Sequence, residues 1–414
     1  MPIKPSALKN DSLSNTFMLN HKDIEQWPVR GLQAYLQLLP GVTLQDGLLH
    51  IRGGGASENS FWINGFNLTS TSASMGIHLI PEAIQTLTVK PGNFSVAPYA
   101  AGTNLVTTKL KSGGAKPQVA VYLQTDKFTD SGQSFLNTYT YREHIVTGLL
   151  SGTVFDKHSY FIATENHSIG DYQERFSSGF AFNNLVDMNQ TNPDVNMGQP
   201  DTIDLTYPDG FTPGNSSNRW AINLFFTFDF DPLTIRITGL YDWLRYYHDD
   251  QPMLSIFNQR DFYFKQRTGF IGADINYAFN RRTRLNVKLD YYNRFVEKHD
   301  DYFGDNWRQW PDSTAVSQAG YSADFRNAWQ VQYPYRLNGF YFDRNGVYED
   351  YGKQEQSWLG GEVRFSVRLH TNHKVEAGLN ARQYTLRLYS INPEIMLAKT
   401  TGGVFNGRTI RCDN

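Results

Sequence analysis

Cysteine is nearly absent from this chain. Cys412 stands alone among 414 residues, which leaves no partner for an intramolecular disulfide and no ligand set for a zinc or iron–sulfur centre. Neither sign of charge is in surplus: 38 Lys and Arg face 40 Asp and Glu, for a formal net charge of −2. Nucleic-acid binding calls for a basic excess, so no nucleic acid is expected as a partner. No apolar run reaches 18 residues, the length that marks a membrane-crossing helix. The opening MPIKPSALKNDSLSN has no apolar stretch of the kind a secretory signal carries. Catalytic signatures are missing as well. There is no GxSxG elbow, no phosphate-binding loop and no HExxH pair. The ten His form no close cluster, and Asp300, Asp301 and Asp305 lack the spacing of an EF-hand. The chain is expected not to be an enzyme and to carry no cofactor or resident metal.

What the sequence does have is glycine (34), tyrosine (24) and phenylalanine (28). Residues 1–28 are polar and patternless. Residues 29–114 read as a small α/β domain. Leu32, Tyr35, Leu36 and Leu39 fall at helical spacing and are stopped by Pro40-Gly41. Short alternating runs follow at Leu48–Ile51, Phe61–Ile63, Ile84–Val89 and Asn104–Leu110, separated by glycine turns. Ile80-Pro81-Glu82 opens a further helical turn, because proline is tolerated at a first helical position.

From residue 115 to 414 the pattern changes to long strands of period two. Ile222, Leu224, Phe226 and Phe228 alternate with Asn223, Phe225, Thr227 and Asp229. Ile271, Ala273, Ile275 and Tyr277 alternate with Gly272, Asp274 and Asn276, and Leu359, Val363, Phe365 and Val367 with Glu362, Arg364, Ser366 and Arg368. About nine such runs can be counted. Soluble sandwiches alternate too, but three features favour a membrane. The runs reach about 9–11 residues, enough to cross a bilayer at a tilt. Aromatics such as Tyr241, Trp243, Tyr277, Phe279 and Tyr291 stand near the ends of apolar faces. Short connections (Val154–Ser159, Phe230–Leu233, Phe279–Thr283, Leu369–Lys374) also alternate with long ones at roughly 167–218, 245–268 and 298–356.

Several segments carry a resemblance to a family. VRGLQAYLQLLPGV, LHIRGGGASEN, FWINGFNL and IPEAIQTLTVKPGNFSVAPYAAGTNLVTTKLKSGG occur in that order. Together they resemble the plug domain of TonB-dependent outer-membrane receptors, in the form common in Bacteroidetes-like bacteria. Asn64 stands where that family usually has Asp, and Ala100–Asn104 is poorer in glycine than its counterpart. The resemblance implies a mainly β protein: a small α/β plug domain followed by antiparallel transmembrane β-barrel strands. It implies a place in the Gram-negative cell outer membrane, with the plug on the periplasmic side of the lumen. It implies outer-membrane lipid, the TonB complex and an unidentified nutrient as partners, and active uptake as the function. Nine strands cannot enclose a domain of about 100 residues, which needs a lumen of the ~22-strand kind. The expectation is therefore an incomplete barrel, clipped at both ends of the chain.

The same resemblance marks Arg52, Gly53, Gly54, Glu58, Asn64 and Gly65 as contacts between plug and barrel. Their partners would be the charges in the polar phase of the strands: Arg236, Asp242, Asp274, Lys288, Asp290, Glu362, Arg364 and Arg368. Tyr246 and Tyr247 open one long connection, and Trp307 and Trp310 lie in another; these aromatics are the candidate ligand contacts. Two other readings stay open at this stage. One is a surface binding or adhesion protein that keeps the fold without transport, and the other is a soluble secreted β-protein.

Overall fold

The computed structural model describes residues 10–391 apart from 12–13, 46, 70–75, 93–103, 131–132, 137, 156, 171–178, 186–200, 207–215, 248–261, 301–302, 307–308, 310–317, 319–334, 338–339, 343–350 and 371–372. The small domain begins with strand β1 (Phe17–Asn20), in the segment whose sequence announces nothing. Helix α1 (His21–Gln26) follows at once, because Asn20 and Asp23 form a reciprocal capping box. Helix α2 (Leu32–Gln37) buries Leu32, Tyr35 and Leu36, and Leu39 behind it, as the helical spacing predicts. Strands β2 (Val42–Gln45) and β3 (Leu48–Ile51) form a hairpin. Strands β4 (Asn59–Ile63), β5 (Phe66–Asn67), β6 (Ile84–Lys90) and β7 (Asn104–Leu110) complete a five-stranded sheet with β1, in the order β1-β6-β7-β4-β5. Strands β4 and β7 run parallel, and the other pairs run antiparallel. Asn64 and Gly65 both adopt positive φ between β4 and β5, the geometry of a two-residue hairpin turn whose twist suits the flanking strands.

Beyond residue 115 comes one antiparallel sheet of nine strands, each paired with its predecessor in the ladder. They are β8 (Gln118–Thr125), β9 (His144–Val154), β10 (His158–Ile169), β11 (Ser217–Asp229), β12 (Leu233–Tyr247), β13 (Phe262–Ala278), β14 (Thr283–Asp300), β15 (Tyr351–His370) and β16 (His373–Ile391). Among the described residues the sheet does not close: β8 and β16 are its two edges. Register carries the two phases of the alternation from strand to strand, with one shift between Arg368 and His370 at the β15–β16 turn. One face packs against the small domain. The other presents Val119, Leu123, Ile271, Leu289, Leu359 and Leu379, with Leu123 as much as 77% exposed. The described residues include no helix long and apolar enough to cross a membrane.

The short connections lie where the alternation puts them. The long ones are shorter than the sequence suggests, because the ladder runs well past the apolar pattern. Strand β12 continues to Tyr247, β13 starts at Phe262, and β15 is 20 residues long. The expectation that Tyr246 and Tyr247 open a loop is corrected accordingly: both close β12. The apolar period reports the surroundings of a side chain, whereas cross-strand hydrogen bonds need no apolar face and carry on beyond it.

Candidate functional site

The small domain seats on three consecutive rungs of the nine-stranded sheet, each rung being a row of cross-strand partners. The middle row is Ala163, Asn223, Leu240, Phe270, Tyr292 and Trp358. It is mostly apolar although it belongs to the polar phase, and its apolar members join the small domain's own Ile63, Leu79 and Ile84 in one buried cluster. Tyr292 and Trp358 stack with centroids 3.9 Å apart. The row above is Glu165, Ala221, Asp242, Thr268, Arg294 and Gln356. The row below is Phe161, Phe225, Thr238, Gly272, Asp290, Gly360 and Arg382. An apolar strip flanked by polar rows gives adhesion along the strip and a fixed position from the hydrogen bonds on either side.

The upper row carries the strongest electrostatics. Glu165, 1% exposed, accepts a short hydrogen bond from Arg30 Nη2 and faces His78 Nε2 at 2.9 Å. Arg30 also grips both oxygens of Glu82, at 2.7 and 3.0 Å, and reaches Thr147 Oγ1 at 3.3 Å. Bidentate guanidinium–carboxylate pairs of this kind fix geometry as well as charge. Arg219 donates to His78 Nδ1 at 3.2 Å and pairs with Asp242 at 3.4 Å. Donation from Arg219 to Nδ1 leaves Nε2 of His78 to donate to Glu165. Burial pulls the Arg30 pKa down, but its hydrogen bond to Glu82 and the charge of Glu165 outweigh that, and the net shift is upward. The nearby Tyr35 hydroxyl is pushed up to about 12, chiefly by burial.

Backbone-directed hydrogen bonds fix the rest of the seat. Asn223 Oδ1 accepts from the Ile80 amide at 2.9 Å, and its amide donates to the His78 carbonyl at 3.4 Å. Thr268 donates to the Gly76 carbonyl at 3.1 Å. Asn64 donates to Thr238 at 3.0 Å and accepts from the Leu110 amide at 3.0 Å, so both ends of its side chain are used. Lys288 donates to the Gly65 carbonyl at 2.7 Å, and Arg382 to the Asn67 carbonyl at 3.3 Å. Arg382 also pairs with Asp290 at 3.3 Å, which accepts from the Trp358 indole at 2.8 Å. Above the seat, between the two parts, opens a cleft of about 1480 Å³ whose lining includes Arg30, His78, His167, Arg219, Tyr246 and Arg294.

Against this geometry the residues singled out from sequence divide. Asn64 and Gly65 touch the sheet directly. Arg52 and Glu58 are both exposed. The Glu58 carboxylate lies against Gly54, 3.0 Å from where a β-carbon would stand. Gly53 holds φ at +75° in the same turn. All eight strand charges share the face that carries the seat. Lys288 reaches the small domain itself and Asp290 does so through Arg382, whereas Arg236 pairs with Asp274 at 3.6 Å and Glu362 with Arg364 at 2.7 Å. Arg368 is exposed near the end of its strand. Tyr246 lines the cleft and stacks on Phe264, while Tyr247 stands in the opposite phase. Trp307 and Trp310 lie outside the described residues. The sequence reading missed Arg30, His78, Glu82, Glu165, Arg219 and Asn223. Apolar residues in the polar phase, such as Leu240, Phe270 and Trp358, were the available signal for the seat.

No family model matches the sequence, and no curated protein is similar to it. Solved structures do share its fold. The FrpB iron transporter from Neisseria meningitidis is similar at 10% identity with a TM-score of 0.52, over 89% of this chain and 48% of that one. The outer-membrane transporter YddB from Escherichia coli is similar at 11% identity with a TM-score of 0.52, over 91% and 48%. The copper transporter OprC is similar at 13% identity with a TM-score of 0.52, over 94% and 48%. The chain spans about half the length of each. At such identities the likeness is one of fold: a small α/β domain against the strands of an outer-membrane β-barrel.

Proposed function

We propose that this chain is the plug domain and the N-terminal part of the barrel of a TonB-dependent outer-membrane receptor, of the Bacteroidetes type that its motifs resemble. The proposed units are a plug that runs to 114 and takes Phe17–Asn20 into its sheet, where the sequence alone placed its start at 29, and barrel wall from 115. Further strands complete the ring. The two open edges, β8 and β16, support this, because unpaired backbone groups cost several kcal/mol each in hydrocarbon. The apolar face meets lipid, and the seat faces the lumen with the plug toward the periplasm. The role is active uptake of a large or scarce nutrient: the cleft above the seat receives it, and TonB pulls the plug to open a path.

The observation that carries this reading is the seat itself. A domain held on a wall by an apolar strip, one buried ion cluster and several single hydrogen bonds is secure at rest and can be released a few contacts at a time. Adhesion without transport needs no separately seated domain. The test is conductance of the complete protein across a planar bilayer, with and without residues 1–114. The deletion should produce a steadily open pore. Equal, low conductance in both forms contradicts an occluding role.

A further inference from the structure

The face of the sheet turned away from the small domain changes character at one level, and the change runs across five strands. Its lower rows are apolar: Ile237, Ala273, Leu289, Gly361 and Ala381, then Gly239, Ile271, Tyr291 and Leu359, which Gln383 ends at the β16 edge. A row of small and polar residues follows, with Gly269, Asn293, Ser357 and Thr385. Two charged rows come next. The first holds Arg267, Glu355 and Arg387, beside Trp243 and Phe295; the second holds Arg245, Lys265, Glu297 and Lys353, beside Tyr389. Tyr247, Tyr263, His299 and Tyr351 close the series as an aromatic row.

Five cations thus meet two carboxylates on a surface continuous with the apolar face. The carboxylates work as spacers that hold the cations in line. Glu297 is nearly buried and stands 3.5 Å from Arg267 and 3.6 Å from Lys353, and Glu355 pairs with Arg387 at 3.1 Å. Asp305, from the connection after β14, takes a further contact with Lys353 at 2.9 Å. The Arg245 guanidinium lies over the Tyr263 ring, 4.3 Å from its centroid. Half of the Arg267 side chain and three-quarters of the Arg387 side chain remain open outward.

Height decides what meets them. Arg267 is four residues beyond Ile271, about 13 Å along the strand at ~3.3 Å per residue. At a tilt of ~40° that is about 10 Å above the apolar edge, within reach of the headgroup layer once long side chains bend back toward it.

We propose that these two charged rows bind the phosphate-bearing headgroups of lipids in the leaflet at this end of the sheet. The proposal rests on the membrane-spanning reading above. The shape of the belt selects a lipid over a soluble partner: it is shallow, spans about 19 Å across the strands at ~4.8 Å spacing, follows the apolar edge, and has aromatic rings along its far side.

The test uses the complete protein extracted from its own outer membrane in mild detergent, with co-purifying lipid phosphate measured by mass spectrometry. The R267Q/R387Q variant should retain about 25-fold less phosphate-bearing lipid, since each cation contributes roughly fivefold to such binding. The charge-keeping R267K/R387K variant should restore retention, and R281Q, at a turn on the opposite end of the sheet, should leave it unchanged. Heat-modifiable migration shows in each case that the protein is folded. Equal retention in all variants overturns the proposal and leaves the receptor reading standing. Displacement of the lipid by excess inorganic phosphate also overturns it, since the rows would then be a general anion site. Absence of the wild-type protein from the membrane fraction overturns both.

Discussion

Glu165 is the single residue on which most of the seat turns. It lies between Arg30 and His78 with no exposed side-chain surface, so removing it takes a charged partner from two half-buried donors at once. Glu165→Ala is expected to weaken docking by about 3–5 kcal/mol, the usual effect of breaking a buried pair from one side. The triple change Arg30→Met, Glu82→Gln and Glu165→Leu should cost far less, because no carboxylate or guanidinium of the cluster is left without its partner. Protease accessibility of the small domain in the folded protein reads both, and equal losses in the two variants would contradict the pairing. Tyr35 gives a pH-dependent counterpart. Its folded pKa is raised from 10.0 to about 12, so its contribution is complete below pH ~10 and is lost as pH rises toward 12. Two units amount to about 2–3 kcal/mol. Alkaline unfolding of Tyr35→Phe should lack this share, and superimposable curves for the two proteins would refute it.

At the scale of elements, the seat depends on strands approaching closely where glycine allows it. A β-carbon on Gly272 would lie 2.8 Å from the Phe66 ring, so Gly272→Ala should push β5 off the sheet at a cost of about 1–3 kcal/mol. The expected result is faster proteolysis of the small domain with the ladder intact by circular dichroism; unchanged proteolysis would show the contact to be unimportant. Most of these elements were legible in the sequence, since period-two alternation and glycine turns are local properties. Helix α2, the β4–β5 turn and all nine long strands fall where those patterns put them. What was not legible is which residues meet. The partners Arg30 and Glu165 are 135 residues apart, and nothing local in VRGLQ or ATENH marks them. Strand ends were also hidden, because β12 to β16 continue in charged pairs after their apolar period stops. Strand β1 gave no signal because it has four residues, of which two are buried.

At the scale of the whole molecule, the account rests on a sheet with two unlike faces. One takes the small domain and stays polar around it, and the other, apolar across nine strands, is the face proposed to span the hydrocarbon of a membrane. The direct measurement is collision of spin labels with paramagnetic reagents in the complete protein in lipid bilayers, using single cysteines introduced after Cys412→Ser. Labels at Ile271, Leu289 and Val363 should collide with dissolved oxygen and be shielded from a water-soluble nickel chelate. Labels at Asn276, Asn286 and Ser366, in the opposite phase, should meet the nickel chelate more readily. If both sets were equally open to the nickel chelate, the sheet would not be a membrane wall, and the proposed uptake function would fall with it.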